Sequence, residues 1–501
     1  QYDQAAAWHK LFSEGKGQEA AMQIIGAASQ NTFEFNPNDP EIARPVWDEI
    51  VAAAEKYNEP GKFTAFIGYE WTSLVRGNNL HRVVIYRDDG DKASKRLPFT
   101  MLGSPDPEDL WKEMQTYEDE TGGQVLAIPH NGNLSNGLMF DTKTLSGGEI
   151  TAEYAKTRQM WEPLYESTQI KGDGESHHLL SPDDEFADYE TWDVGNLDNS
   201  ELKKPEMLPG EYLRSGLKRG LEFEEKLGVN PYKVGQIGST DSHTSLPAVE
   251  EDNFYGKHSG VEPSASRWEH VVIKGAKEDM LGWQQASSGY AAVWADSNTR
   301  ESIWDAMKRR ETYATTGSRP EVRFFGSFVF DGTESAKDMY VAGGYAKGVP
   351  MGGDLIGGRG APIFLVAAKM DPNSGNLDRI QIIKGWLDAN GEAQERVYDV
   401  AVSDDRTIDA DGRCLTPVGN TVKVHEATWD NSIGAPTLSA RWQDPEFNPT
   451  QRAFYYVRVI EIPTPRWTAY DALRYGVELP DEVDMFTQER AYTSPIWYTP
   501  Q

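Results

Sequence analysis

FTAFIGYEWTS at residues 63–73, VLAIPHNGN at 125–133 and VGQIGSTDSH at 234–243 decide how this chain is read. In each, an apolar run of strand length gives way at its carboxyl end to small or turn-forming residues and then to an ionisable side chain. Phe63–Ile67 leads to Glu70, Val125–Ile128 to His130, and Val234–Ile237 to Asp241 and His243. Such runs read as buried strands, and Val83–Tyr86 reads as a fourth, with His81 just before it at the strand start or in a bulge. Between them, Pro107–Tyr117 places Leu110, Trp111, Met114 and Tyr117 at helical spacing and stops near Gly122-Gly123. Glu211–Leu227 is a second amphipathic helix. Strands separated by helices predict an α/β fold built on a largely parallel sheet or barrel. In a barrel of parallel strands the carboxyl ends share one face, so residues remote in sequence converge there.

Outward from this middle region the texture changes twice. Residues 1–60 read as a peripheral helical segment, with Val46, Ile50, Val51 and Ala54 recurring on one helix face before Pro60-Gly61. Residues 61–320 hold the strand-and-helix region. After the Arg- and Lys-rich helix at Asn298–Thr312, helices nearly vanish, and Ile363–Ala368, Ile380–Ile383, Val397–Val402 and Tyr455–Ile462 read as strands. Asn390-Gly391 sits between two of these runs as a hairpin turn. Residues 321–501 are therefore expected to form a β-sandwich-like domain. Asp371–Asp378 carries calcium-type ligands without the spacing of an EF-hand loop and reads as a turn.

The chain has 501 residues, 49 basic and 79 acidic side chains, and a formal charge of −30, which argues against holding a nucleic acid backbone. No apolar run reaches the roughly 18 residues of a membrane span. A single cysteine, Cys414, allows no internal disulfide and no thiolate cluster, and it has no nucleophile signature around it. The first residue is Gln1, with neither a basic nor an apolar leader following it, and the acidic composition suits a periplasmic or secreted protein, while composition alone also fits an acidic cytoplasmic enzyme.

Ionisable residues at the strand ends are the candidate chemistry. Asp241-x-His243 offers a hard oxygen and an imidazole nitrogen that point the same way in an extended segment, a pair suited to Mn, Fe or Zn. With Glu70, His81 and His130 it gives two carboxylates and three imidazoles, enough for one site or part of a two-metal site. A carboxylate after Ile67-Gly68-Tyr69 and beside Trp71 is expected to be buried and so to need a metal or a counter-charge. Of the remaining histidines, His9, His258, His270 and His425 lack ligand spacing and read as ordinary polar residues. His177 and His178 occupy the polar loop KGDGESHHLL, from which Lys171, Asp173, Glu175 and His177 could reach a substrate.

GYEWTS at 68–73, NNLHR at 78–82, AIPHNGNLSNGLMF at 127–140, QIKGDGESH at 169–177 and GSTDSHTSL at 238–246 resemble the domain of unknown function family three-six-zero-four. That family is related to the polymerase and histidinol phosphatase (PHP) superfamily of metal-dependent hydrolases, and the resemblance spans nearly the whole chain. It implies a distorted (β/α)7-type barrel followed by the β-sandwich-like domain. It also implies metal ligation by Glu70, His81, His130, Asp241 and His243, with Glu70 bridging and Asp241 and His243 closing the site. Two or three Mn, Fe or Zn ions and a metal-bound hydroxide would hydrolyse a small phosphoester. The family's opening His-x-His is absent from the sequence, as is the Asp-His after the next strand. The expectation is that the first barrel strands belong to an upstream segment; a degenerate site is the other reading. Arg82, Asn79, Asn131, Lys171, Asp173 and His177 are expected to contact substrate. His243 or His177 would protonate the leaving oxygen, and Glu70, Asp241 and His243 form the catalytic set. Two alternatives stand beside phosphoester hydrolysis: cleavage of another ester or amide at the same metals, and a non-catalytic extracellular binding protein with a vestigial barrel. Nucleic acid and a membrane span are not expected partners, and homo-oligomerisation is left open.

Overall fold

The computed structural model describes residues 2–30, 32–258, 261–275, 277–335, 340–358 and 360–501. They form a mixed α/β structure with ten helices, and among the described residues no sheet closes into a barrel. Among the described residues no helix is long and apolar enough to cross a membrane.

Three helices open the chain: α1 (Asp3–Ser13), α2 (Gly17–Gln30) and α3 (Pro40–Tyr57). The face of α3 differs from the sequence expectation. Trp47 and Val51 are the buried positions, while Val46 and Ile50 are 57% and 44% exposed. The large Trp47 ring, which donates its indole N–H to the Ala93 carbonyl at 3.1 Å, sets the rotation of the helix.

A first sheet joins β1 (Gly68–Trp71), β2 (Arg82–Tyr86) and β3 (Val125–Pro129) in that order, antiparallel throughout. Phe63–Ile67 is not a strand; pairing begins one residue later, at Gly68. Helix α4 (Pro107–Thr121) lies in the β2–β3 connection. Its N-cap Asp106 accepts the Glu108 N–H, Pro107 starts its first turn, and Gly122 closes it at φ 64°. Leu110, Trp111, Met114 and Tyr117 pack with Trp71, Val84, Tyr86 and Val125 on one face of the sheet. The long connection brings Val125 back beside Tyr86, which is why a helix-containing crossover here ends antiparallel.

A second sheet holds β4 (Leu164–Gln169), β5 (Gly172–Asp173) and β6 (Gly235–Gly238). β4, which is not among the runs read as strands from the sequence, is parallel to β6 and is linked to it through α5 (Leu213–Leu227) as a βαβ unit. Apart from this pair and one short edge pair, the ladders are antiparallel, so the expectation of a largely parallel sheet does not hold.

The largest sheet crosses residue 320. β7 (Tyr290–Val293) and β8 (Thr312–Thr315) pair through β8 with a later strand, β15 (Arg490–Thr493). The sheet continues through β14 (Ala453–Glu461) and β11 (Leu377–Leu387) to β12 (Ala393–Val402), with β16 (Ile496–Thr499) also on β14. β11 and β12 form the expected hairpin, with Gly391 at φ 80° in its turn. A separate sheet carries β9 (Glu321–Ser327), β10 (Ile363–Lys369) and β13 (Thr437–Gln443). The two sheets share one core around Phe324, Phe364, Ile382 and Tyr455. On its other side the large sheet packs against Leu213, Leu217 and Leu221 of α5 through Phe454 and Tyr456. Cover on both sides explains why β14 is a continuous buried run and not an alternating one.

Of Asp371–Asp378, the part up to Asn376 is a turn, in which Asp371 accepts backbone N–H groups from Asn373 and Arg319, while Asp378 lies in β11 and pairs with Arg379 and Arg406. At the end of β14, Glu461 is fully buried, and its Oε1 has no hydrogen-bond partner among the described residues. Burial pushes its carboxyl up to about 7, against the Ser374 hydroxyl that donates to it. A raised carboxyl value means that this group favours folding fully below its unfolded value of 4.5 and opposes it increasingly as pH rises towards 7. Glu461→Gln is therefore expected to gain stability over wild type between about pH 5 and about pH 8, by on the order of 3 kcal/mol. Thermal melts at both pH values check this, and an equal difference at the two would refute it.

Candidate metal centre

Strand parity explains how three distant residues meet. In β1, Tyr69 and Trp71 face the α4 core, so Glu70 points to the opposite side. Glu70 pairs with Val83, and Val83 pairs with Ile128. His81 lies two residues before Val83 and His130 two after Ile128, so both share the Glu70 side. Because β2 runs against β1 and β3, its beginning lies at the edge where they end. The shared side packs, further down, on Leu164 and Ile237 of the second sheet.

The outcome is a compact triad. Glu70 Oε1 lies 2.8 Å from His81 Nδ1 and 3.0 Å from His130 Nε2, and one ligand atom from each residue falls within 4.8 Å of the others. Contrary to the sequence expectation, Glu70 is not buried; its side chain is 34% exposed, because its strand face opens at the sheet edge. Both histidines are buried. Partial loss of solvent around Glu70 would raise its carboxyl, but the hydrogen bonds from His130 and His81 outweigh it and hold the group well below the usual carboxylate range. Burial pushes His81 down to about 4, against Glu70, so its ring is neutral and able to ligate at neutral pH. Two imidazole nitrogens and one carboxylate oxygen fit a Zn, Mn or Fe ion in donor chemistry and in spacing. The second ring nitrogens, His81 Nε2 and His130 Nδ1, are buried without a protein partner among the described residues.

Asp241 is not part of this triad. It sits after β6 at φ 50°, and its Oδ2 receives Lys171, Lys257 and the Gln169 amide. Burial alone would raise the Asp241 carboxyl; Lys171 and then Lys257 reverse that and hold it far below its ordinary value. His243 is 56% exposed, and its Nδ1 lies 2.9 Å from the Asp241 backbone oxygen and 3.1 Å from Lys257 Nζ. Asp241 and His243 thus adjoin the triad through charge and not as ligands of the same point; His130 and Lys171 feel both carboxylate groups.

The expected substrate contacts separate into classes. Asn79 is a brace: its amide donates to the His130 and Asn131 carbonyls at 2.7 and 3.2 Å. Asn131, at φ 49°, accepts the Gln169 amide at 2.9 Å and so ties the His130 turn to Asp241. Arg82 is buried in an ion pair with Glu162, which also holds Arg158, and its guanidinium lies near the Trp71 ring. Asp173 is buried, with its carboxyl pushed up to about 7 by burial and by Glu175. His177 is buried against His178 and bonds Asp193 at 3.0 Å. Of the six, Lys171 alone stands with its charged end at the centre.

The family described as "Protein of unknown function (DUF3604)" matches residues 1–500. This chain belongs to the DUF3604 family. No curated protein and no solved structure matches it.

Within this DUF3604 chain, three residues of the centre escape a reading of strand ends. Glu166 lies inside β4, buried, with Oε2 accepting the Ser239 hydroxyl and Oε1 without a partner among the described residues; burial raises its carboxyl. A lone acid inside the otherwise buried stretch LYEST was the available signal. Gln169 ends the same strand. Lys257, in YGKHSG, carries no sequence signal, since a lysine in a polar loop is ordinarily solvated.

Proposed function

We propose that this protein is a metal-dependent hydrolase of phosphate esters, related to the PHP superfamily, with a barrel-like catalytic part and a β-sandwich-like appendage. The reading is carried by one observation, the convergence of Glu70, His81 and His130 on a single point. We place it outside the cytoplasm, periplasmic or secreted, which the acidic composition and the single, buried cysteine support.

A divalent ion held by the triad supplies Lewis acidity for activating water and for neutralising phosphoryl charge. The chain's own residues do the rest. Glu70, kept ionised by its two histidines, holds the centre's negative charge. Asn79 fixes the His130 backbone, and the Asn131–Gln169–Asp241 relay fixes the adjoining loop. Lys171 turns its ammonium towards Asp241 beside the triad and offers a positive contact to substrate oxygen. The exposed His243 ring accepts the Lys257 ammonium at Nδ1, which leaves its ring proton on Nε2 for passing to the leaving oxygen.

Phosphate release from aryl phosphate monoesters and diesters in the presence of Mn tests the reading. Glu70→Gln and Asp241→Asn are each expected to lower turnover by about a hundredfold or more. Unchanged release in both variants would refute the site. Cleavage of carboxyl esters without phosphate release would move the reaction to another ester class. A purified protein without stoichiometric metal would favour a non-catalytic binding role.

A further inference from the structure

Two ammonium groups meet at one carboxylate oxygen beside the triad, an arrangement that a metal ligand shared between two ions would not show. Lys171 Nζ bonds Asp241 Oδ2; Lys257 Nζ lies 2.5 Å from the same atom and 2.8 Å from the Asp241 backbone oxygen. Each lysine sits where a second divalent ion bound to Asp241 Oδ2 would have to be, and like charges at that separation exclude one another. Both are largely enclosed: Lys171 is 8% exposed, and the Lys257 side chain is buried to a similar degree. Among the described residues the Lys171 ammonium has Asp241 as its only acceptor, so it retains N–H groups for another partner. Buried donors of this kind call for an acceptor.

We propose that Lys171 and Lys257 form an oxyanion clamp on Asp241, in which Lys171 donates to the bound oxyanion and Lys257, its N–H groups taken by Asp241 and His243, holds Asp241 in place, and that the centre holds one metal ion per chain. This rests on the metal-hydrolase reading above. Asp241 is then a positioning residue. It holds two cations side by side that would otherwise repel, and Gln169 holds Asp241.

The test titrates inorganic phosphate into the full chain by calorimetry, metal-free after chelation and again loaded with Mn, and counts metal by elemental analysis. Wild type is expected to bind phosphate in both states, more tightly when loaded, with one ion per chain. Lys257→Met and Lys171→Met are each expected to weaken phosphate at least tenfold while metal content stays at one, and Lys257→Arg is expected to keep binding. Absence of phosphate binding in both states of wild type overturns the clamp whether or not the variants fold. Wild-type affinity in both Met variants overturns it as well, and two ions per chain overturn the single-metal assignment. A chain that binds no metal yet loses phosphate on Lys257→Met would sink the metal reading and leave the clamp standing.

Discussion

Glu70→Gln is expected to empty the metal centre while leaving the fold intact. The substitution keeps the shape of the side chain and removes the only formal negative charge in the triad, since His81 and His130 ligate as neutral rings. Changes one layer outside a metal site commonly cost 10- to 100-fold in affinity, so loss of a ligand is expected to exceed about a hundredfold. Elemental analysis after dialysis reads this directly. Stability gives a second readout: an ion that binds only the folded chain raises its stability by about 2.7 kcal/mol at a hundredfold excess over Kd. Added Zn or Mn should raise the melting temperature of wild type and leave Glu70→Gln unmoved. Because Glu70 is partly exposed at a sheet edge, the variant should melt close to metal-free wild type. A Glu70→Gln protein that keeps its ion would remove the triad from consideration.

The second large effect concerns the loop after β5. Glu175 and Asp184 are buried there between two arginines: Arg214 of α5, and Arg458 of β14. Arg458 also donates to Gln381 of β11, and the Tyr456 hydroxyl donates to Glu175. This network, which Arg214 extends to Glu395 of β12, fastens the His177 loop and α5 to the large sheet. Taking one partner from a buried ion pair leaves an uncompensated charge and typically costs 3–5 kcal/mol. Arg458→Met is therefore expected to lower the unfolding free energy by about that amount in urea titrations. Adding Asp184→Asn to it should recover part of the loss, because the stranded carboxylate is gone. A single variant as stable as wild type would show that the network is dispensable.

Several elements were legible in the chain by itself. The helix over Pro107–Thr121 announces itself through Asp106, Pro107, Gly122 and the spacing of Leu110, Trp111, Met114 and Tyr117. β3, β6, β10, β11, β12 and β14 each overlap a run read as a strand from the sequence. The α3 face was misread because its apolar arc is wide, and only packing of Trp47 decides which half is covered. The strand before Glu70 was misplaced because Phe63–Ile67 is apolar yet precedes the pairing with β2.

The site divides along the same line. The sequence by itself determined which residues stand at strand ends, and therefore that Glu70, His81 and His130 were candidates for one centre, because apolar runs and their punctuation are local properties. Only the tertiary structure decided that they share a point, because strand direction and register are set by pairing, and a one-residue slip would turn each side chain to the other face of the sheet. The same long-range pairing brought Lys171 and Lys257 onto Asp241, where their charges oppose the second ion that the ligand list alone suggested.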